Sequence, residues 1–175
     1  MLLNKDIRVL KKNFFYYIFF RLVRKFLNNK IIIKIYGFRL LVSQNKNSTS
    51  HFLLKKCDFS ELAEINLIKK ISLKNDVLFI DGGCNYGFFS FFVASLKKGN
   101  EIISVDASNK ICDEFLKKLK INNFKNIKLF NYALSNQVDK KIKFYEALND
   151  WESSALNSGF KKKNTLFIET TTIDK

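Results

Sequence analysis

No proline occurs in the 175 residues, and only four of the 31 basic residues are arginine (Arg8, Arg21, Arg24 and Arg39). With Lys, Asn, Ile and Phe in excess, this bias reads as that of an A- and T-rich genome, so the formal charge of +15 is weak grounds for a nucleic-acid partner. Scattered lysines ordinarily form a solvated face, not a phosphate-binding stripe. The three cysteines (Cys57, Cys84 and Cys112) are odd in number and have no close pair, so they suggest neither a disulfide framework nor a cysteine zinc site and fit a reducing compartment, the cytoplasm. His51 is the only histidine, so no metal centre is expected. A long hydrophobic run is also missing. The apolar block at residues 14–20 stops at Arg21, short of the roughly 20 residues that cross a bilayer, and no small-residue cleavage site follows it. Repeats, low-complexity tracts and Gly/Ser/Pro-rich linkers are absent, so nothing marks a second domain.

What is present is core material: 47% hydrophobic residues and 19 phenylalanines. Residues 1–30 combine Lys5, Arg8, Lys11, Lys12, Arg21, Arg24, Lys25 and Lys30 with the aromatic block, opposed only by Asp6. They predict a basic aromatic helix, either lying on an anionic inner leaflet or packed on the domain with its lysines in water. Residues 31–76 form a lead-in: two short strands across 31–43 turning near Gly37, a polar loop at 44–50, and a helix at 61–71 capped by Ser60.

From residue 77 the pattern alternates, with strand 77–81, helix 86–97, strand 101–106, helix 110–122 and strand 127–132. Such alternation predicts an α/β, Rossmann-like parallel sheet whose ligand site lies at the carboxyl ends of the strands. Helix 86–97 is apolar on nearly every side (Phe88, Phe89, Phe91, Phe92, Val93), so it should be buried. After Tyr132 the alternation stops. Residues 141–147 and 165–172 read as a hairpin-like pair of strands around a polar connection near Trp151.

The informative stretch is Phe79-Ile80-Asp81-Gly82-Gly83-Cys84-Asn85-Tyr86-Gly87, a strand running into a glycine-containing turn and a helix. Gly83 and Gly87 lack the Cβ that would obstruct a ligand near the backbone. Counting back from Gly87, the middle glycine of a dinucleotide fingerprint would be Cys84, and no Lys-Ser/Thr pair closes a P-loop. Asp81 just before the glycines would repel a pyrophosphate but favours the ammonium and sulfonium of S-adenosylmethionine. Asp106 ends the next strand about 20 residues after the turn, the spacing of an acid that holds a ribose hydroxyl. The plainer role for both acids is to cap the helices that follow them.

These residues resemble the FkbM-type methyltransferases, class I S-adenosylmethionine-dependent enzymes, over about residues 57–175. The family's Asp-x-Gly-x-Asn-x-Gly is met by Asp81, Gly83, Asn85 and Gly87, and its second acid by Asp106. Asn122, Ala133-Leu134-Ser135, Ser153-Ser154 and Thr172-Ile173-Asp174 match its later segments. The resemblance implies that Asp81, Gly83 and Asn85 hold the methionine portion, Asp106 the ribose, and the backbone at Tyr132 and Ala133 the adenine. It also implies a small-molecule acceptor, a sugar or other hydroxylated metabolite methylated on oxygen. Cys84 reads as a small buried side chain, not a nucleophile. No base can be named among Glu64, Glu146, Glu152 and Glu169. Family members continue into a further core strand where this chain reaches Lys175, so residues 77–175 are expected to be the N-terminal part of the domain, incomplete at the C-terminus. Strand 77–81 should then have an open edge for a partner chain to cover. The alternative is a catalytically inactive binding or membrane-associated module derived from a methyltransferase.

Overall fold

The computed structural model describes residues 2–12, 30–43, 61–147, 153–155 and 162–174, together with Phe15, Ile18, Leu22 and Leu53. Its first unit grows from period-two alternation. Strand β1 (Leu2–Asp6) runs parallel to β2 (Lys30–Ile35), which turns through Tyr36 and Gly37 into antiparallel β3 (Phe38–Ser43). Both turn residues have positive φ (48° and 90°), the requirement of a two-residue hairpin loop whose twist suits the strands. Ile31, Ile33, Ile35, Phe38, Leu40 and Val42 are all buried on one face.

The expected helix over residues 1–30 is corrected at its start. Residues 2–6 are strand, the helix α1 covers Ile7–Lys12, Phe15, Ile18 and Leu22 are also helical, and Lys30 already belongs to β2, the rest of the stretch lying outside the described residues. Asp6 makes the junction. Its carboxylate accepts from the backbone N–H groups of Arg8 (3.0 Å) and Tyr36 (2.8 Å) and pairs with the Arg8 guanidinium at 2.9 Å, fixing the strand end to the hairpin turn. Nothing local in Leu2-Leu3-Asn4-Lys5 signals a strand, because what stabilises it is the distant edge of β2.

The second unit is the predicted parallel sheet. Helix α2 (Leu62–Lys74) leads into β4 (Leu78–Gly82), α3 (Phe88–Leu96), β5 (Glu101–Val105), α4 (Asn109–Asn122) and β6 (Ile127–Phe130), with strand order β4-β5-β6 and parallel pairing throughout. α2 starts at Leu62, with Glu61 at the cap position making no side-chain bond; Ser60 lies outside the described residues. The all-round apolarity of α3 has its cause here. One side packs on the parallel sheet through Phe79, Ile102 and Ile127, and the other meets the hairpin through Tyr36 and Phe38, whose rings lie 5.3 Å from Phe92 and 5.7 Å from Phe88. A helix between two sheets has no side left for water. β4 is an outer strand, and its Leu78 is 61% exposed.

The last unit is the sheet β7-β9-β8, made of β7 (Ala133–Leu134), β8 (Lys141–Ala147) and β9 (Lys162–Thr171). β8 and β9 pair antiparallel, as the polar connection between them in the sequence predicts, while β7 runs parallel to β9. Trp151 lies outside the described residues. Phe144, Ile168, Ala133 and Ala107 form a small cluster of their own beside the carboxyl end of the parallel sheet. No helix among the described residues is long and apolar enough to cross a membrane.

Candidate functional site

Leaving β4, the chain has to turn sharply to enter α3. Three residues of the turn take positive φ: Gly83 (69°), Asn85 (48°) and Gly87 (74°), a conformation costly for most side chains and accessible to glycine and asparagine. The turn is tied to the neighbouring strand, since the N–H groups of Gly83 and Cys84 both donate to the Val105 carbonyl, at 2.8 and 3.0 Å. Gly83 is a cradle: a Cβ built on it would meet nothing within 4 Å. Gly87 is the opposite case. A Cβ there would run into the rings of Phe115 and Phe91, so this glycine serves the packing of α3 and stands away from the open space in front of the turn.

The two acids that end β4 and β5 take different roles. Asp106 accepts from the Asn85 N–H through Oδ2 at 2.8 Å and from the Ser108 N–H through Oδ1 at 2.9 Å. The cap of α4 is Ser108, whose Oγ accepts from the Ile111 N–H and donates to Glu146 Oε1 at 2.7 Å. Asp81 does hold a helix start: its Oδ2 accepts from the Ser90 N–H at 3.1 Å and from the Ser90 hydroxyl at 2.5 Å, with Ser104 Oγ 2.7 Å from Ser90 Oγ. Burial raises the pKa of both acids. At Asp81 the Ser90 bonds oppose that rise and the Asp106 charge adds to it; at Asp106 the backbone N–H groups of Ser108, Asn85 and Ala107 oppose it. Burial and the nearby acids also push the Cys84 thiol up, and burial pushes Cys112 up to about 11, so both are inert thiols.

In front of the turn lies a cavity of about 400 Å³. Gly83, Asn85 and Asp106 make its polar side, and Ile111, Ala133, Ile142 and Phe144 its apolar walls. Gly83, Asn85, Asp106, Tyr132, Ala133, Leu134 and Ser153, all singled out in the sequence, thus come together, while Asp81 and Gly87 do not line it. Among the described residues no lysine or arginine lines it. Ser108, Ile111, Ile142 and Phe144 escaped sequence reasoning. Ser108 carries the ordinary signal of a serine before a helix, whereas Ile142 and Phe144 are brought in by the pairing of β8 with β9, which no local pattern encodes.

A smaller cavity of about 200 Å³ shares Gly83 and Asn85 with the first. Asp81 and Glu61 are its acids, and Leu40, Val42, Leu53, Tyr86, Phe88 and Phe89 make it mostly apolar. Of the other glutamates, Glu146 is engaged by Ser108, Glu64 and Glu169 are exposed on outer faces, and Glu152 and His51 lie outside the described residues.

No protein-family model matches the chain, and no curated protein is similar to it in sequence. Solved methyltransferases resemble it in part. An S-adenosylmethionine-dependent methyltransferase from Agrobacterium tumefaciens overlays with a TM-score of 0.48 at 13% identity, covering 61% of this chain and 33% of that one. TYW2 from M. jannaschii, in complex with AdoMet, gives 0.44 at 16% identity over 65% of this chain and 54% of its own. The tRNA m1G37 methyltransferase of M. jannaschii gives 0.41 at 22% identity, over 63% and 36%. The chain therefore spans between a third and about half of these structures.

Proposed function

We propose that this chain is the nucleotide-binding part of an S-adenosylmethionine-dependent methyltransferase. The observation that carries the proposal is the 400 Å³ cavity, which joins a bare-backbone turn at Gly83 to the Asp106 carboxylate and has no lysine or arginine among its described lining residues. A phosphate-rich nucleotide would find no counter-charge there, whereas a cationic adenosyl compound meets an acid in a partly desolvated site. Asp106 would accept the ribose hydroxyls, Ile111, Ala133 and Phe144 would enclose the adenine, and the turn at Gly83 and Asn85 would face the methionine portion. Asp81 acts one step removed, holding the start of α3 through Ser90 and adding negative charge. Bound there, the cofactor supplies an electrophilic methyl group.

The smaller cavity is the proposed acceptor side, with Glu61 beside it as a candidate base. Methylation of a hydroxyl on a sugar or small metabolite rests on the resemblance to the FkbM-type enzymes; the apolar walls of this cavity favour an acceptor with an apolar part. Within the same proposal, residues 1–30 make a peripheral contact at the inner face of the membrane. Phe15, Ile18 and Leu22 are exposed, and their spacing of three and four puts them on one helix face. A partner chain covers the outer edge of β4, where Leu78 and Ile80 are exposed.

Calorimetry with the full chain tests the cofactor reading. Saturable binding of S-adenosylmethionine is expected, weakened about 10- to 100-fold by Asp106→Ala, the value of hydrogen bonds to a charged group. Absence of binding at millimolar cofactor would remove the proposal.

A further inference from the structure

At the other end of the parallel sheet, where α3 and α4 finish, lies a larger hollow of about 760 Å³. Among the described residues its charged lining is entirely basic: Lys34, Arg39, Lys97, Lys98 and Lys125. Among the described residues only Lys97 has an acidic partner there, Asp76 at 2.7 Å. Two of the three asparagines of the wall are already used. Asn122 accepts from the Arg39 N–H and donates to its carbonyl, both at 2.7 Å, and Asn126 donates to the Asn100 carbonyl at 2.8 Å.

Part of this charge has an ordinary cause, because lysines that follow a helix offset the negative end of its dipole, as Lys97, Lys98 and Lys125 do. Lys34 and Arg39 have no such cause. They sit on β2 and β3 as direct cross-strand partners, on the face opposite the buried isoleucines. Like charges directly opposite in a sheet destabilise it, and one of the chain's four arginines is placed in that position. An anion between them turns the repulsion into two attractions.

We propose that this hollow binds a phosphate-bearing polyanion, with Lys34 and Arg39 on one wall and Lys98 and Lys125 on the other. Its volume falls in the range of small-ligand sites, roughly 300–1,000 Å³, and a single phosphate would leave most of it unfilled. The ligand therefore carries several phosphate groups, either as a free compound or as the headgroup of a phospholipid. The site is independent of the cofactor cavity, which stands at the opposite ends of the strands.

Titration of the full chain with inorganic tripolyphosphate tests the site. Saturable binding is expected, with a rise in melting temperature. The double variant Lys34→Gln/Arg39→Gln should weaken binding about tenfold or more, and should melt higher than the parent in phosphate-free buffer because the repulsion is gone. A charge-matched control, Lys69→Gln/Lys70→Gln on the exposed face of α2, should change the affinity by less than about twofold, as solvent-exposed charges outside the site do. Asp106→Ala should leave tripolyphosphate binding intact, so a failure of the cofactor reading would not be mistaken for a failure here. Capture on vesicles containing a phosphatidylinositol bisphosphate that tripolyphosphate displaces and the double variant loses assigns a lipid headgroup; no capture, with tripolyphosphate bound, assigns a free phosphate compound. Equal losses in the double variant and its control, or a single-stranded RNA oligomer outcompeting tripolyphosphate in both, would overturn the proposal in favour of general charge attraction.

Discussion

Asp81 and Asp106 are the same residue type at the same place in successive strands, and their surroundings separate them. Asp81 faces α3 and gives its oxygen to Ser90; Asp106 faces the cavity and is held by the N–H groups of Asn85 and Ser108. The acidity of Asp106 gives a test. Burial sets its pKa above the ordinary 3.8, and only the ionised form accepts both ribose hydroxyls, so cofactor affinity should fall as pH drops through that raised value. Since the folded state binds this proton more tightly than the unfolded chain, this titration by itself adds stability on acidification, whereas Asp6, held below its ordinary value by Arg8 despite its burial, works the other way; a melting curve at each pH separates loss of affinity from loss of fold. A pH series of cofactor titrations should show the decline in the parent and a flat, weak profile in Asp106→Asn; equal slopes in both would discard the assignment. At this scale the sequence was most legible where chemistry is local: an acid ending a strand and glycines in a turn. It assigned both acids to the cofactor; that Asp106 lines the larger cavity and Asp81 does not depends on the side of the sheet each strand residue presents.

Elements were legible where their partners are near in sequence. The parallel strands and α3 stand close to their expected positions, since period-two and all-apolar patterns record burial on one face or on all faces. β1 and the walls at Ile142 and Phe144 were hidden because pairing across long separations makes them. Asn122 shows a residue that the resemblance singled out without supplying its physical role. Its side chain pairs with both backbone groups of Arg39 and also donates to the Lys118 carbonyl at 2.9 Å, locking β3 onto α4. Asn122→Ala should cost about 1–2 kcal/mol in urea unfolding, the value of two partly exposed hydrogen bonds, with no change in cofactor affinity. Unfolding indistinguishable from the parent would show that the clamp carries no weight.

Across the whole molecule the charge is sorted. Among the described residues no lysine or arginine lines the cavity at the carboxyl end of the sheet, while five line the hollow at the other end. Composition alone pointed to a solvated lysine face, and it was uninformative here because a count of lysines does not say which of them a hairpin register sets side by side. The sorting favours a cationic or neutral ligand at one end and an anionic one at the other. β4 remains an outer strand with an exposed face, in a fold whose parallel sheets are ordinarily covered on both sides. The most direct test of the central claim is a crystal structure of the chain grown with S-adenosylhomocysteine. The account predicts density in the 400 Å³ cavity, with the ribose on the Asp106 carboxylate and the adenine against Ala133, Ile111 and Phe144. Density elsewhere on the molecule, with that cavity holding only solvent, would contradict it.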